Sequence, residues 1–196
     1  LMCWGRNDTG QSTPPAGAFR QIDTGYTHTC GVSRNNTIAC WGSNNDGEAT
    51  PPAGAFAQVT VGRMHSCAIG INGTVSCWGN NALGQATPPA GVFMQVSAGD
   101  YHTCGVQSDG SMKCWGSNQV GQSTPTPNAF FTQVSAAGST TCGIYSDDYA
   151  LGCWGQNDDG RASPPVGAYT QVSQGYSHGC GIRSNGTMAC WGFNGT

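Results

Sequence analysis

Short hydrophobic segments alternate with glycine-containing turns along the whole chain. The segment "FMQVSAG" carries Phe93 and Val96 and ends in glycine, a pattern that predicts a short β-strand. The following segments, "HTCGV" and "SMKCW", flank Ser108-Asp109-Gly110, which is the composition of a three-residue hairpin loop. We therefore predict an all-β protein in which a strand is followed by a β-hairpin.

This pattern recurs with a period of about 37 residues. The triplet Cys-Trp-Gly begins at Cys3, Cys40, Cys77, Cys114, Cys153 and Cys190. A second series comprises Cys30, Cys67, Cys104, Cys142 and Cys180. We predict a single repeat domain over residues 1–196 of about five and a third units: a partial unit 1–11, then 12–48, 49–85, 86–122, 123–161 and 162–196.

The hairpin register predicts disulfide bonds. If the three-residue loop closes the third hairpin, Cys104 lies directly opposite Cys114, at a distance that a disulfide accepts. The fourth unit has one extra residue, which a four-residue loop from Ser146 to Tyr149 absorbs. The same construction pairs Cys30 with Cys40, Cys67 with Cys77, Cys142 with Cys153 and Cys180 with Cys190. Five such bonds indicate an oxidising, extracellular location.

The composition supports a covalently stabilised fold. Leu, Ile, Val and Phe together supply 26 of 196 residues, whereas there are 31 glycines and 11 cysteines. The net charge of −3 is too small for a typical disordered chain. The seven Lys and Arg residues are scattered, which argues against nucleic acid as a partner. No apolar run is long enough to span a membrane.

The motif His-Thr-Cys-Gly, a glycine turn and then Cys-Trp-Gly-x-Asn-x-x-Gly-Gln resembles the regulator of chromosome condensation repeat. This resemblance covers essentially the whole chain and implies blades of a β-propeller, commonly of seven blades. The short, cysteine-bearing form with Pro-Pro is similar to the repeats of crinkly-type receptor kinase ectodomains and of secreted microbial proteins. It implies no single activity, because such relatives include a nucleotide exchange factor, a photoreceptor, an enzyme inhibitor and receptor ectodomains.

The two ends of the chain carry the same element of the unit. The chain starts with "LMCWG" and finishes near "TMACWG", so a five-bladed ring would contain one strand too many. The expected partner of Cys3 would lie about ten residues before Leu1. We therefore expect a segment of a longer chain, forming either part of a larger ring or part of an open repeat array.

The histidines favour a structural role. His28, His65, His102 and His178 all lie two residues before a cysteine, and the fourth unit has Thr140 there. Equivalent positions in neighbouring units are unsuited to converge on one metal ion, and no position combines a nucleophile, a base and an orienting acid. We predict no catalytic residue, no cofactor and no metal site.

The tryptophans leave two main interpretations open. Small residues share their strand face, which suggests that neighbouring units approach closely and cover the rings. Alternatively, the rings stack on sugars, as in a lectin-like propeller. Light absorption is disfavoured because adjacent disulfides would quench the excited indoles. The candidate stacking residues are Trp41, Trp78, Trp115, Trp154 and Trp191.

The sequence also contains five Asn-x-Thr sequons, which predict N-glycosylation in a secreted protein. They begin at Asn7, Asn35, Asn72, Asn185 and Asn194. We predict a non-enzymatic extracellular scaffold or interaction module, such as a building unit of a receptor ectodomain, coat or fibre, with protein or glycan partners or self-association. A carbohydrate-binding propeller is the alternative. An enzyme or inhibitor with its site in "TPTPNAFF" and "SDDYALG" is a third hypothesis.

Overall fold

The computed structural model describes residues 1–195, which form fifteen β-strands in five sheets. The strands are β1 Phe19–Thr24, β2 His28–Ser33, β3 Ile38–Gly42, β4 Phe56–Val61, β5 His65–Gly70, β6 Val75–Gly79, β7 Phe93–Ala98, β8 His102–Gln107, β9 Met112–Gly116, β10 Phe131–Ala137, β11 Thr140–Tyr145, β12 Leu151–Gly155, β13 Tyr169–Gln174, β14 His178–Arg183 and β15 Met188–Gly192. The predicted all-β class and the tandem organisation are confirmed.

Each sheet is an antiparallel meander of three consecutive strands. In the third sheet, Phe93 pairs with Gln107 and Gln95 with Val106, so Met94 is an additional, unpaired residue near the start of the first strand. The same irregularity recurs at the start of the other first strands. Such a bulge bends the strand locally. Sheets of this kind fit the blades of a propeller or the units of an open array.

The hairpins have the predicted register. Cys104 pairs with Cys114 and Val106 with Met112 across β8 and β9. The left-handed position of the loop is held by Asn36 in the first sheet, with φ of 67°, and by glycine in three others. In the longer fourth loop it is held by Tyr149, with φ of 59°. Loop length therefore fixes the cysteine alignment in every sheet.

The core consists of four hydrophobic clusters, each lying between two consecutive sheets. In the third cluster, Cys104 and Val106 of one sheet contact Phe131 and Val134 of the next, with Trp154 at the margin. The other clusters repeat this arrangement of a cysteine-bearing face against an aromatic face. The few aliphatic residues suffice because each interface buries only a small set of them.

The sequence suggested that small residues lie beside the tryptophans because neighbouring units approach closely. In the structure, the space at Gly105 is taken by a side chain of the same sheet. A Cβ atom on Gly105 would lie 2.7 Å from Cδ1 of Phe93, which belongs to the same sheet. Phe93 in turn contacts Trp115, with ring centroids 6.0 Å apart. The glycine thus makes room for an aromatic ring of its own sheet, and the next sheet along the chain is not what requires it.

Glutamine side chains connect the first strands of consecutive sheets. The Gln58 amide donates from Nε2 to Val96 O at 2.9 Å, and Val96 N donates to Gln58 Oε1 at 3.0 Å. Gln21 forms the same two hydrogen bonds with the backbone N and O of Val59, and Gln133 forms them with Val172. These paired bonds extend the backbone pairing from sheet to sheet and hold the five first strands side by side around a common space.

Candidate functional site

A cavity of about 360 Å³ lies where the five first strands end. All five sheets contribute equivalent residues to its lining, including Asp23, Gly62, Ser97, Ala136 and Gln174. We refer to it as the axial cavity. Many of the other lining residues are Gly, Ala or Ser, and larger side chains, including Tyr26, Arg63 and Tyr176, also line it.

The polar side chains in its wall connect one sheet to the next. Asp23 Oδ2 accepts hydrogen bonds from Val61 N at 2.8 Å and from Thr60 Oγ1 at 2.9 Å. Ser97 Oγ accepts from Ala136 N in the same manner. Burial raises the pKa of the Asp23 carboxyl, although these hydrogen bonds act in the opposite direction. These polar groups of the cavity wall are therefore used in hydrogen bonds between consecutive sheets.

The loops that follow the first strands form a rim around the cavity, which we define as Tyr26, Arg63, Asp100, Tyr101 and Tyr176. The Arg63 guanidinium carbon lies 5.3 Å from the ring centroid of Tyr26 and 5.7 Å from that of Tyr101. Asp100 Oδ2 lies 3.9 Å from Arg63 Nη1. Burial raises the pKa of Asp100, and the nearby guanidinium opposes this shift. The rim thus combines one cation between two phenol rings with two exposed tyrosines, Tyr26 and Tyr176.

Sequence reasoning missed this rim. Its residues occupy the two variable positions between the glycine that ends the first strand and the histidine slot of each unit. A signal was present, because these positions differ from unit to unit while the flanking glycine and the cysteines recur. Variation within a regular repeat is typical of positions that the fold does not require.

Disulfide bonds join the cysteine pairs expected from the hairpin register. Cys30, Cys67, Cys104 and Cys142 are fully buried between sheets. In the fifth sheet Cys190 is exposed, because no described sheet contacts that face. Each disulfide therefore both closes a hairpin and, in the first four sheets, forms part of an interface with the next sheet.

The buried histidines connect consecutive sheets. His28 Nε2 lies 2.8 Å from Ser66 Oγ, and His65 Nε2 lies 2.8 Å from Thr103 Oγ1. His102 Nε2 lies 2.7 Å from Thr141 Oγ1. His178, in the fifth sheet, is exposed. The partner hydroxyl in each case belongs to the next unit.

The third of these contacts fixes the tautomer. The Thr141 hydroxyl donates its single hydrogen to Gln122 O at 2.9 Å, so it accepts from His102 Nε2, which carries the ring proton. The indole of Trp154 donates to the same Gln122 oxygen at 3.0 Å. His102 Nδ1 is buried without a hydrogen-bond partner among the described residues. We call this histidine–hydroxyl–carbonyl–indole chain the inter-sheet relay.

Burial lowers the pKa of His102 to about 4 because the charged imidazolium would lose its hydration. The same cause lowers the pKa of His28 to about 4, partly offset by Glu48, and that of His65 to about 3. All three imidazoles are therefore neutral at physiological pH.

The five candidate stacking tryptophans are covered by protein. Trp41, Trp115 and Trp191 are each 8% exposed, while Trp78 and Trp154 are half-buried beside the clusters. Their indole N–H groups donate to backbone oxygens of Gln11, Glu48, Gln85, Gln122 and Arg161. Three of the five rings are thus buried, and stacking on a sugar at Trp78 and Trp154 stays a prediction. Trp4, in the partial first unit, is largely exposed.

The sequons separate into two groups. Asn35, Asn72 and Asn185 are exposed in hairpin loops, at the opposite ends of the strands from the rim. Asn7 instead supports a turn, because its Nδ2 donates to Thr13 Oγ1 at 2.9 Å and its Oδ1 accepts from Ser12 N. Asn194 is exposed, but the Thr196 of its sequon lies outside the described residues.

The deviations of the fourth unit fit one another. Tyr145 lies against Gly152, where a Cβ atom would overlap the phenol oxygen. That oxygen lies 2.8 Å from Thr126 Oγ1, in the segment "TPTPNAFF". Tyr145 also contacts Phe131, with ring centroids 5.0 Å apart. The two unusual segments are therefore joined by a packing contact.

Two features are absent from residues 1–195. No three His, Cys, Asp or Glu side chains in that range are close enough together to hold a metal ion. The same range contains no helix with the length and hydrophobicity needed to cross a bilayer.

The fold and the repeated disulfide hairpin define a β-propeller type of repeat protein. A family model for the regulator of chromosome condensation (RCC1) repeat matches residues 19–48, 56–85, 95–122 and 169–195. These ranges cover more than half of the chain, so the chain belongs to this family. The matched ranges include no strand of the divergent fourth sheet. No curated protein sequence matches significantly.

Several solved structures share the fold. The ectodomain of the receptor kinase CR4 from Physcomitrella patens is 26% identical, with a TM-score of 0.78 over 96% of this chain and 55% of that chain. The CRINKLY WD40 ectodomain of the Arabidopsis thaliana receptor kinase ACR4 is 23% identical, with a TM-score of 0.75 over 93% and 67%. Yeast RCC1 (Prp20), solved bound to Kap60, is 16% identical, with a TM-score of 0.81 over 97% and 65%. The chain thus spans about half the length of the CR4 ectodomain.

Proposed function

We propose that the protein is a non-enzymatic, extracellular interaction module that presents the rim to a protein partner. This proposal is carried by a difference between two sets of residues, those that hold the sheets together and those of the rim. The residues that recur along the chain form disulfides and hydrogen bonds between sheets, whereas the rim residues differ from unit to unit and are exposed, as Tyr26 and Tyr176 are, or partly exposed. In repeat scaffolds, such variable loops on a rigid frame are the usual place for binding.

The extracellular location is supported by the five disulfides, since thiols in the cytosol and nucleus are kept reduced. The similarity to receptor kinase ectodomains supports it further. Glycosylation at Asn35, Asn72 and Asn185 belongs to this proposal. Glycans at those loops would leave the rim free, because the two sets of loops lie at opposite ends of the strands.

A protein partner is favoured because a structural neighbour, yeast RCC1, has been solved with a protein bound. A binding role is favoured over catalysis because the hydroxyls beside His28 and His102 already donate to backbone oxygens, as Thr141 does to Gln122. The module would act by binding, as part of a receptor, coat or fibre.

Saturable binding tests this function. The oxidised protein, produced through a secretory pathway and labelled at its amino terminus, is titrated onto the extracellular protein fraction of the organism that makes it. We expect binding that saturates and that excess unlabelled protein displaces. Binding that neither saturates nor competes, with the disulfides intact, would contradict an interaction module.

A further inference from the structure

Among the described residues, Arg63 and Arg183 have guanidinium groups that lie over tyrosine rings without a side-chain hydrogen bond, and of these two Arg63 is the one on the rim. Arg20 donates to Phe56 O, Arg161 to Tyr176 O, and Arg6 is paired with Asp8. The carboxylate near Arg63 is 3.9 Å away, beyond hydrogen-bond distance. Among residues 1–195, no side-chain hydrogen bond uses the Arg63 guanidinium, which is 41% exposed.

Two tyrosines hold this guanidinium in place. Tyr26 and Tyr101 come from the loops before and after Arg63 in the ring of loops, and both rings lie within 6 Å of its Cζ atom. Stacking of this kind fixes a guanidinium plane and leaves its edge donors free. A planar fork of N–H groups with a fixed orientation matches a carboxylate, which it binds through two parallel hydrogen bonds.

The surroundings restrict which carboxylate fits. Asp100 lies beside Arg63 and, in its ionised form, would repel a ligand with several negative charges. The adjacent floor is lined by Gly25, Gly62 and Gly99, where consecutive units approach closely, since a Cβ atom on Gly25 would overlap Gly62 O. These features favour an isolated carboxylate on a neutral chain over a polyanion.

We propose that the rim binds a single Asp or Glu side chain of a partner polypeptide, with Arg63 as the bidentate donor and the neighbouring peptide over the axial cavity. This inference rests on the proposed function and specifies its binding group. Tyr26 and Tyr101 are positioning residues, which act by holding the guanidinium. Asp100 sets the limit on ligand charge.

Peptide titration followed by NMR tests the proposal directly. The probe is N-acetyl-Gly-Glu-Gly-amide, and its glutamine analogue is the neutral control. We expect saturable shifts of the Arg63 Nε–H resonance and of the rim backbone amides with the glutamate peptide, and none with the glutamine peptide. Arg63→Gln should weaken binding by about tenfold or more, and Arg63→Lys should restore only part of it, since lysine lacks the planar fork.

The matched control is Arg34→Gln, because Arg34 is an exposed arginine in a hairpin loop at the opposite end of the strands. It should leave the titration unchanged. Equal shifts with both peptides, no rim shifts up to the solubility limit of the glutamate peptide, or no effect of Arg63→Gln would each overturn the proposal. Glucuronate binding the rim more tightly than the peptide would overturn it in favour of a uronic acid.

The proposal and the broader function can fail separately. If the wild-type protein binds the extracellular fraction saturably and Arg63→Gln binds it equally well, the rim proposal is wrong and the interaction function stands. If the wild-type protein does not bind that fraction, the proposed function is contradicted, and the peptide titration still decides the chemistry of the rim.

Discussion

The first three interfaces between sheets and the fourth use different side chains in the same place. The first three each contain a hydrogen bond between a buried histidine and a hydroxyl of the next unit, as between His65 and Thr103. At the fourth interface Thr140 replaces the histidine and Gly179 replaces the hydroxyl. Thr140 bonds within its own unit, to Gln156 O at 2.9 Å.

Gln174 fills the space left at the fourth interface. A Cβ atom on Gly179 would overlap the Gln174 side-chain oxygen, so the glycine and the glutamine belong together. Gln174 Nε2 donates to Arg161 O, the oxygen that also accepts from the Trp191 indole. The bond from an indole N–H to a backbone oxygen is thus present at all four interfaces. The position beside that indole is taken by a hydroxyl side chain in the first three interfaces and by the Gln174 amide in the fourth. Only the first three interfaces contain a titratable group at this point.

Lowering the pH should give the largest difference in stability between the three interfaces that contain a buried histidine and the fourth, which does not. The folded-state pKa of His28, His65 and His102 is lowered to about 4, 3 and 4, below the unfolded value of about 6.5. The unfolded chain therefore binds protons first, so the stability from neutral imidazoles is full above pH about 6.5 and declines as the pH falls toward the folded pKa values. We expect up to about 1.4 kcal/mol per pH unit for each histidine.

Hydrogen exchange at pH 7 and pH 5, corrected for intrinsic rates, measures this effect. Protection of β2, β5 and β8 should fall more than that of β14. The raised pKa values of Asp23 and Asp100 act with the opposite sign, because protonation of these carboxyls favours the folded state as the pH falls. Equal loss of protection in all sheets would contradict the contrast between interfaces.

Removing a relay histidine should have the next largest effect. His102→Leu deletes the donor to Thr141 and leaves that buried hydroxyl with one partner fewer, at a cost of about 2 kcal/mol. His178→Leu is the matched control, because His178 holds the same slot but is exposed, and should change stability by less than about 0.5 kcal/mol. Urea unfolding of both variants gives the comparison. Similar losses would show that the inter-sheet bond contributes little.

The smallest effect concerns the hydroxyl alone. Thr141→Val keeps the shape but leaves the His102 N–H without its acceptor, which should cost about 1 to 2 kcal/mol. Thr132→Val, at an exposed strand position, serves as the control. Combining Thr141→Val with His102→Leu should cost less than the sum of the single changes, because both remove the same bond. Strict additivity would argue that the two residues do not interact.

The hairpin could be predicted from the sequence because it is a local structure. The number of residues between Cys104 and Cys114, together with a glycine at the left-handed position, determines which residues face each other. The repeat then supplied five independent instances of the same geometry. The exposed hairpin sequons followed from the same construction.

The contacts between sheets could not be predicted in the same way. His102 and Thr141 are 39 residues apart, and their approach depends on how one sheet packs on the next. The rim has the same origin, since Tyr26, Arg63 and Tyr101 come from three different units. A pattern within one unit defines its faces, but it does not define which side chains of separate units meet.

The central claim is that each unit is a disulfide-stapled hairpin formed in an oxidising compartment. Peptide mapping of the unreduced protein, isolated from its natural source with free thiols blocked at lysis, tests it most directly. We expect Cys104 linked to Cys114 and the other four hairpin pairs linked in the same way. Blocked thiols at these ten cysteines, or Cys104 linked to any other cysteine, would contradict the account.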